Sequence, residues 1–282
     1  MNVADAMTPR EVVEVAELPG TRDDVLELLQ ERAFSSVPVV KVDGGEEAFR
    51  GLVSREDLIE RPDEDQLALL MRDVPTTSAD TSLEALAGMM VAEGTRRVPV
   101  VDGALEGMVT ITDLMRAIAD GEVDVDATVD DVATRDINTT YCDTPLRAAA
   151  QELYYANVPY TVVIDVEGDM EGILTEVDII EVAEVVEGED STGDSIADQD
   201  DDWMWEGIKA VGGRYLPTRN VEMPEGPVAE YMSADLVTVP KSRTVQEAAQ
   251  TLISNDVEQV PLVSGGRLVG MVRDMDLLRA VG

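Results

Sequence analysis

Four times along the chain an apolar run closes in Gly-x-x-[Ser/Thr]-x-x-Asp, with a Val-Pro pair 14 to 19 residues before the Asp. The copies are Gly51-Leu-Val-Ser54-Arg-Glu-Asp57, Gly107-Met-Val-Thr110-Ile-Thr-Asp113, Gly172-Ile-Leu-Thr175-Glu-Val-Asp178 and, with the hydroxyl replaced, Gly270-Met-Val-Arg273-Asp-Met-Asp276. The pairs are Val37-Pro38, Val98-Pro99, Val158-Pro159 and Val260-Pro261. Such repetition fixes the architecture before any single motif is weighed, because each copy is one supersecondary unit that buries its apolar face only against another.

The second copy shows the unit most plainly. Thr81 or Ser82 can cap a helix whose Leu83, Leu86, Ala87 and Met90 recur at helical spacing. Arg97 to Val101 reads as a strand, Asp102-Gly103 as a hairpin turn and Leu105 to Val109 as the partner strand. A second helix follows from Ile111, with Leu114, Met115 and Ile118 on one face. Gly44-Gly45, Gly168-Asp169 and Gly265-Gly266 occupy the equivalent turns. With strands on both sides and no Gly-Lys-[Ser/Thr] after them, they read as hairpins rather than phosphate loops.

The repeats define units at 1–62, 68–121, 128–186 and 228–282. The spacing from Asp178 to Asp276 is 98 residues against 65 from Asp113 to Asp178, which leaves an insert at 187–227. Its first half, 187–202, is acidic with Ser and Gly and is expected to be a solvated loop. Its second half holds Trp203, Trp205 and Tyr215, which read either as a partner contact or as a lid folded onto the chain's own core.

Charge excludes more than it selects. Asp and Glu number 59 against 21 Lys and Arg, a net charge of -38 on a chain that is 44% apolar. Only Lys41, Lys209 and Lys241 are lysines. An acidic, Lys-poor surface over regular apolar runs points to a source adapted to molar salt, where the Debye length falls to about 3 Å. Nucleic-acid binding is not expected, Arg214 to Arg219 being the only basic-aromatic stretch.

Histidine is absent, which removes His-based nucleophile pairs and His-ligated metals; the single Cys142 excludes an internal disulfide framework, and no spacing suggests a zinc site. Glu122 to Ala133 fails as a calcium loop, since Ala127 stands where Gly is needed and Ala133 where Glu is needed. A non-catalytic protein without a metal is expected. No basic-plus-apolar leader and no run of about 18 apolar residues occurs, so a cytoplasmic location without a membrane span is expected.

At these motifs the chain resembles the cystathionine-beta-synthase (CBS) domain family, over nearly all of its length outside the insert. The resemblance implies an α/β fold of α+β type, with four CBS repeats paired into two Bateman modules that stack as a disc, as a monomer or a homodimer. It also implies clefts that take adenosine-containing ligands: AMP, ADP, ATP or S-adenosylmethionine.

The chemistry of the motif fits such a ligand. The start of a helix offers free amides and a positive dipole end to a phosphate, and the hydroxyl can reach the same oxygens. An Asp one turn inside can accept both ribose hydroxyls, each worth about 1.5 to 3 kcal/mol. The same spacing is also a capping box, and the two roles are compatible.

Repeat 2 is best equipped, with Thr110, Thr112 and Asp113, a cation at Arg96 or Arg97, and an apolar base slot at Val98 and Pro99. Repeat 1 offers Ser54 and Asp57 with Val37 and Pro38. Repeat 3 offers Thr175 and Asp178 with Val158 and Pro159, and the extra acids of repeats 1 and 3 favour adenosine or a sulfonium ligand over a phosphate, or leave those clefts empty. In repeat 4, Arg273 either reaches across its module to a phosphate held by repeat 3 or pairs with Asp274 or Asp276, and its bulk weakens ribose binding by Asp276. By the resemblance, Thr76 and Thr77, and Asn138 and Thr139, add polar contacts to the base.

The function expected is regulatory: an adenosine-type ligand in the clefts alters contact with a regulated partner. The alternative is an interaction factor docking on a large assembly, such as the ribosome or an enzyme complex, with nucleotide structural or absent.

Overall fold

The computed structural model describes residues 1–31, 36–54, 57–58, 61, 64–156, 158–175, 178–179, 182, 184–185, 208–211, 214–217 and 221–281. It divides into two compact units, Met1–Arg135 with Val237–Gly282, and Asp136–Leu236. The first holds repeats 1 and 2, the lead of repeat 3 (128–135) and repeat 4 from residue 237; the second holds the rest of repeat 3 and the lead of repeat 4 (228–236).

In chain order the first unit begins with α1 (Val3–Ala6), β1 (Thr8–Pro9), β2 (Ala16–Leu18), α2 (Arg22–Glu31), β3 (Ser36–Asp43) and β4 (Glu46–Ser54). It continues with α3 (Leu67–Leu70), α4 (Leu83–Glu93), β5 (Arg97–Asp102), β6 (Ala104–Thr110), α5 (Ile111–Ala119) and α6 (Val129–Val132). The second unit carries β7 (Thr139–Tyr141), α7 (Leu146–Ala156), β8 (Tyr160–Ile164), β9 (Met170–Thr175), β10 (Glu184–Val185), β11 (Ile208–Val211), β12 (Arg214–Pro217) and β13 (Val221–Glu222). Repeat 4 returns to the first unit with β14 (Val239–Pro240), α8 (Val245–Asn255), β15 (Gln259–Ser264), β16 (Arg267–Arg273) and α9 (Asp274–Leu278).

Each repeat is an antiparallel hairpin with a parallel lead strand on one edge: β2 on β3, β7 on β8 and β14 on β15, with Thr77 bridging to Val100 in repeat 2. The turn glycines at 44, 45, 103, 168, 265 and 266 all have positive φ, the conformation these tight hairpins require. Local sequence sets the helix ends. Ser82 Oγ accepts from Ala85 N at 3.2 Å to start α4, and left-handed Gly94 stops it.

The other edge of each hairpin is closed by a segment from elsewhere in the chain. Thr8 pairs with Met108 of repeat 2, while Arg72 pairs with Leu52 of repeat 1. Thr134 pairs with Met271 of repeat 4, and Ser233 pairs with Ile173 of repeat 3. The lead of repeat 1 therefore seals repeat 2 and the reverse. In the same way the lead of repeat 3 seals repeat 4, and the lead of repeat 4 seals repeat 3.

The sealing segment explains the glycine of the motif. A Cβ on Gly107 would strike the Thr8 carbonyl, and one on Gly51 the Arg72 carbonyl. One on Gly172 would lie 2.8 Å from Met232 Cγ and 3.0 Å from the Ser233 carbonyl oxygen.

The largest core joins repeats 2 and 4 through their helices. Leu86, Met90, Leu114 and Ile118 pack with Val245, Ala249, Leu252 and Leu277, all buried. Each such side chain contributes about 1.5 to 3 kcal/mol on burial. The junction is also polar, with Gln246 and Gln250 Nε2 both donating to the Ala119 carbonyl at the end of α5, at 3.2 and 2.8 Å. Repeats 1 and 3 keep smaller cores around Val25, Leu29 and Val53, and around Leu146, Leu153 and Leu174. Among the described residues no helix is long and apolar enough to cross a membrane.

Candidate functional site

In repeat 2, strand β6 ends at Thr110 and α5 begins at the next residue, so Thr110 is the N-cap. Asp113 Oδ2 accepts from Thr110 N at 2.8 Å and from Thr110 Oγ1 at 2.7 Å, while Thr110 Oγ1 faces Asp113 N at 3.4 Å. Repeat 1 reproduces this with Ser54 and Asp57, at 2.8 and 2.6 Å to Oδ2. Repeat 3 does so with Thr175 and Asp178, at 2.7 and 2.6 Å. The capping box is thus formed, but it uses one carboxylate oxygen and leaves Oδ1 for another donor.

What meets Oδ1 differs. Asp113 Oδ1 faces Arg116 Nη1 at 3.1 Å, one turn along an exposed helix face. Asp178 Oδ1 lies 3.3 Å from Ser233 Oγ. Asp57 Oδ1 is in ion-pair contact with Arg72 Nε but accepts no hydrogen bond among the described residues. In repeat 4 Arg273 turns back on its own motif, with Nε 3.1 Å from Asp276 Oδ2 and Nη2 3.2 Å from Oδ1, and Arg279 also on Oδ1. Of the two fates open to Arg273, the structure shows the ion pair with Asp276, whose side chain is wholly buried.

Strand register sets what stands across from the cap. Arg97 faces Thr110, Ser36 faces Ser54, Tyr160 faces Thr175 and Gln259 faces Arg273. Arg97 is half-buried, and desolvation, reinforced by repulsion from Arg96, lowers its pKa from the usual arginine value. Among the described residues no carboxylate pairs with it. Arg96 is engaged instead, with Nη1 3.1 Å from Asp274 Oδ1 and Nη2 3.3 Å from Glu258. Of the two candidate cations, only Arg97 remains uncommitted among the described residues.

Residues 3–64, 67–120, 129–184 and 228–282 each match the CBS domain family. The chain belongs to the CBS domain family. An uncharacterized Methanocaldococcus jannaschii protein, MJ1404, is 24% identical over 99% of this chain, which spans 61% of that relative's length. An uncharacterized conserved protein from Pyrococcus horikoshii aligns over all of both chains with a TM-score of 0.70 and 26% identity. Protein MJ1225 from Methanocaldococcus jannaschii does so with a TM-score of 0.64 and 17% identity, a likeness of fold.

Within these CBS repeats the remaining residues named from sequence fall as follows. Val98 and Pro99 lie in β5, where the Pro99 carbonyl accepts from Thr77 N at 3.0 Å and Thr77 O accepts from Val101 N at 2.8 Å. Thr77 is therefore buried beside the strand that carries the base slot, and Thr76 is exposed. Val37 and Pro38 hold the equivalent places in β3. Asn138 O accepts from Val162 N at 2.9 Å and Thr139 pairs with Val162. Thr112 is exposed on the first turn of α5.

Repeat 3 departs from the sequence reading. Val39, Val100 and Leu262 stand opposite the motif glycines, each just after its proline, and in repeat 3 that residue is Val163. The strand equivalents of Val98-Pro99 are therefore Thr161-Val162. Val158 and Pro159 precede β8, displaced by three residues, because pairing to Gly172 rather than the Val-Pro string sets the register.

Trp203 and Trp205 lie outside the described residues. Tyr215 pairs through its backbone with Ala210 in the β11–β12 hairpin. Sequence reasoning missed Arg72 and Ser233. Their signal is a Met followed by a polar residue in three of the four leads: Met7-Thr8, Met71-Arg72 and Met232-Ser233.

Proposed function

We propose that this CBS protein is a non-catalytic sensor that binds adenosine-containing ligands in the clefts of its repeats and passes their occupancy to a partner protein. Arg97 carries the reading. In a chain of 59 acidic residues, a half-buried guanidinium without a carboxylate among the described residues is a charge kept for an anion that comes from outside. It faces the positive end of α5, which adds to the attraction. Asp113, one turn into that helix and 12% exposed, keeps Oδ1 behind only a solvent-facing Arg116, so a ribose diol can displace that contact at little cost.

Repeat 2 thus suits a phosphorylated adenosine. Repeat 3, with Tyr160 in place of Arg97, suits adenosine or S-adenosylmethionine. Calorimetric titration with AMP, ATP and S-adenosylmethionine at about 2 M KCl tests the reading. At least one binds at micromolar concentration, about -8 kcal/mol. Arg97→Ala weakens AMP and ATP more than S-adenosylmethionine. No heat from any of the three in folded protein refutes the sensor.

A further inference from the structure

The motif Asp residues differ in what the exchanged segment sets against them. Oδ2 is consumed by the capping box in repeats 1, 2 and 3, so Oδ1 is the atom a ligand diol must reach. In repeats 1 and 3 the residue that bridges to the strand position just after the motif glycine has its side chain on that atom, and the same bridge position is filled in all four repeats. The residue there is Arg72 in repeat 1, Thr8 in repeat 2, Ser233 in repeat 3 and Thr134 in repeat 4.

Only in repeat 1 is this residue a cation. Its Nε is in ion-pair contact with Asp57 Oδ1, a buried oxygen that accepts no hydrogen bond among the described residues, and the Asp57 side chain is 4% exposed against 12% for Asp113. Ser233, by contrast, offers Asp178 Oδ1 one hydroxyl at 3.3 Å and leaves that Asp half-buried rather than buried.

We propose that Arg72 is the plug of the repeat 1 cleft, and that the residue at this exchange position decides whether a CBS repeat of this chain accepts a nucleoside diol. The inference rests on the reading that Asp113 and Asp178 hold ribose. A neutral diol offers two hydroxyl donors, whereas the guanidinium offers a full opposite charge to a carboxylate already out of water. Arg72 itself is 43% exposed, but exchanging it for the diol leaves the buried Asp57 without its counter-charge, so the ligand loses. Four copies of one motif then yield fewer than four sites. Repeat 1 is shut by Arg72, supplied by the lead of repeat 2. Repeat 4 is shut from within by Arg273 and Arg279, which leaves the buried Asp276 no free oxygen.

Two variants with opposite signs test the plug. Arg72→Thr installs the residue that repeats 2 and 4 carry at this position, and Ser233→Arg installs the plug in repeat 3. Titration of the full chain with adenosine and with AMP reads the number of sites. Arg72→Thr binds one more ligand per chain than the wild type, and Ser233→Arg one fewer. A folded Arg72→Thr protein with the wild-type site number, or a Ser233→Arg protein that loses no site, overturns the plug while leaving the sensor reading intact. A wild type that binds neither ligand overturns both.

Discussion

Leu52 and Arg72 are joined by two backbone hydrogen bonds, Leu52 N to Arg72 O at 3.0 Å and Arg72 N to Leu52 O at 2.8 Å. Ile173 with Ser233, and Met271 with Thr134, repeat this bridge at 2.9 to 3.1 Å. The bridge presses each exchanged segment onto the strand beside the motif glycine, which makes the glycine a packing requirement of the hairpin edge as much as a feature of the ligand motif.

Gly107→Ala tests that role. Its Cβ would meet the Thr8 carbonyl and lie 3.1 Å from Met7 Sδ, so the segment must lift, at a cost of about 1 to 3 kcal/mol. At Gly88, exposed within α4, an added methyl would meet nothing within 4 Å, so Gly88→Ala stabilises by about 1 kcal/mol through helix propensity. Urea midpoints of the two variants shift in opposite directions.

Thr161 offers a second stability test. Its side chain is wholly buried at a core position of β8, and Oγ1 has no hydrogen-bond partner among the described residues. The equivalent residue of repeat 2 is Val98. Thr161→Val keeps the shape and removes an unsatisfied hydroxyl, for a gain of about 1 kcal/mol. Thermal melting with a lower midpoint for the variant contradicts the assignment.

Arg10 and Glu47 link the exchanged lead of repeat 1 to β4 through two bonds, at 2.8 and 2.6 Å. The Arg10 hydrogen bond holds Glu47 below the usual glutamate pKa, against a smaller opposing effect of burial. A depressed carboxylate stabilises the fold above its unfolded pKa of about 4.3, and that stability is lost as pH falls through the folded value. Glu47→Gln therefore flattens the stability profile below about pH 4.3 and leaves its shape near neutrality unchanged. Because both side chains are about a quarter to a third exposed, a double-mutant cycle gives at most about 1 kcal/mol, less in molar salt.

Asp113 and Asp276 separate binding from stability. Asp276→Ala removes a buried carboxylate that neutralises Arg273 and Arg279; it costs about 3 to 5 kcal/mol in stability and leaves ligand affinity at repeat 2 unchanged. Asp113→Ala loses a cap worth about 1 kcal/mol and weakens the ligand by about 2 to 4 kcal/mol. Denaturation and titration of both variants show the crossed pattern.

Much of this was legible in the sequence. The helix, strand, strand, helix order, the hairpin glycines and the start of α5 at Ile111 follow from periodicity and turn chemistry. Three features were not. The true partner strand position in repeat 3 depends on which residue faces Gly172, and a run of small apolar residues such as Val158 to Val163 admits several registers. Arg96 finds Asp274 at a separation of 178 residues, a pairing created by the shared helical core of repeats 2 and 4. The role of Arg72 depends on which sheet edge a short lead docks against, and nothing local to residues 67–72 specifies that edge.

Titration of AMP against its 2′,3′-dideoxy analogue, at fixed salt, measures the grip of the Asp residues on the sugar. If Asp113 Oδ1 holds the diol, removing both hydroxyls weakens binding by at least about tenfold, or 1.4 kcal/mol. Equal affinity for the two contradicts the account.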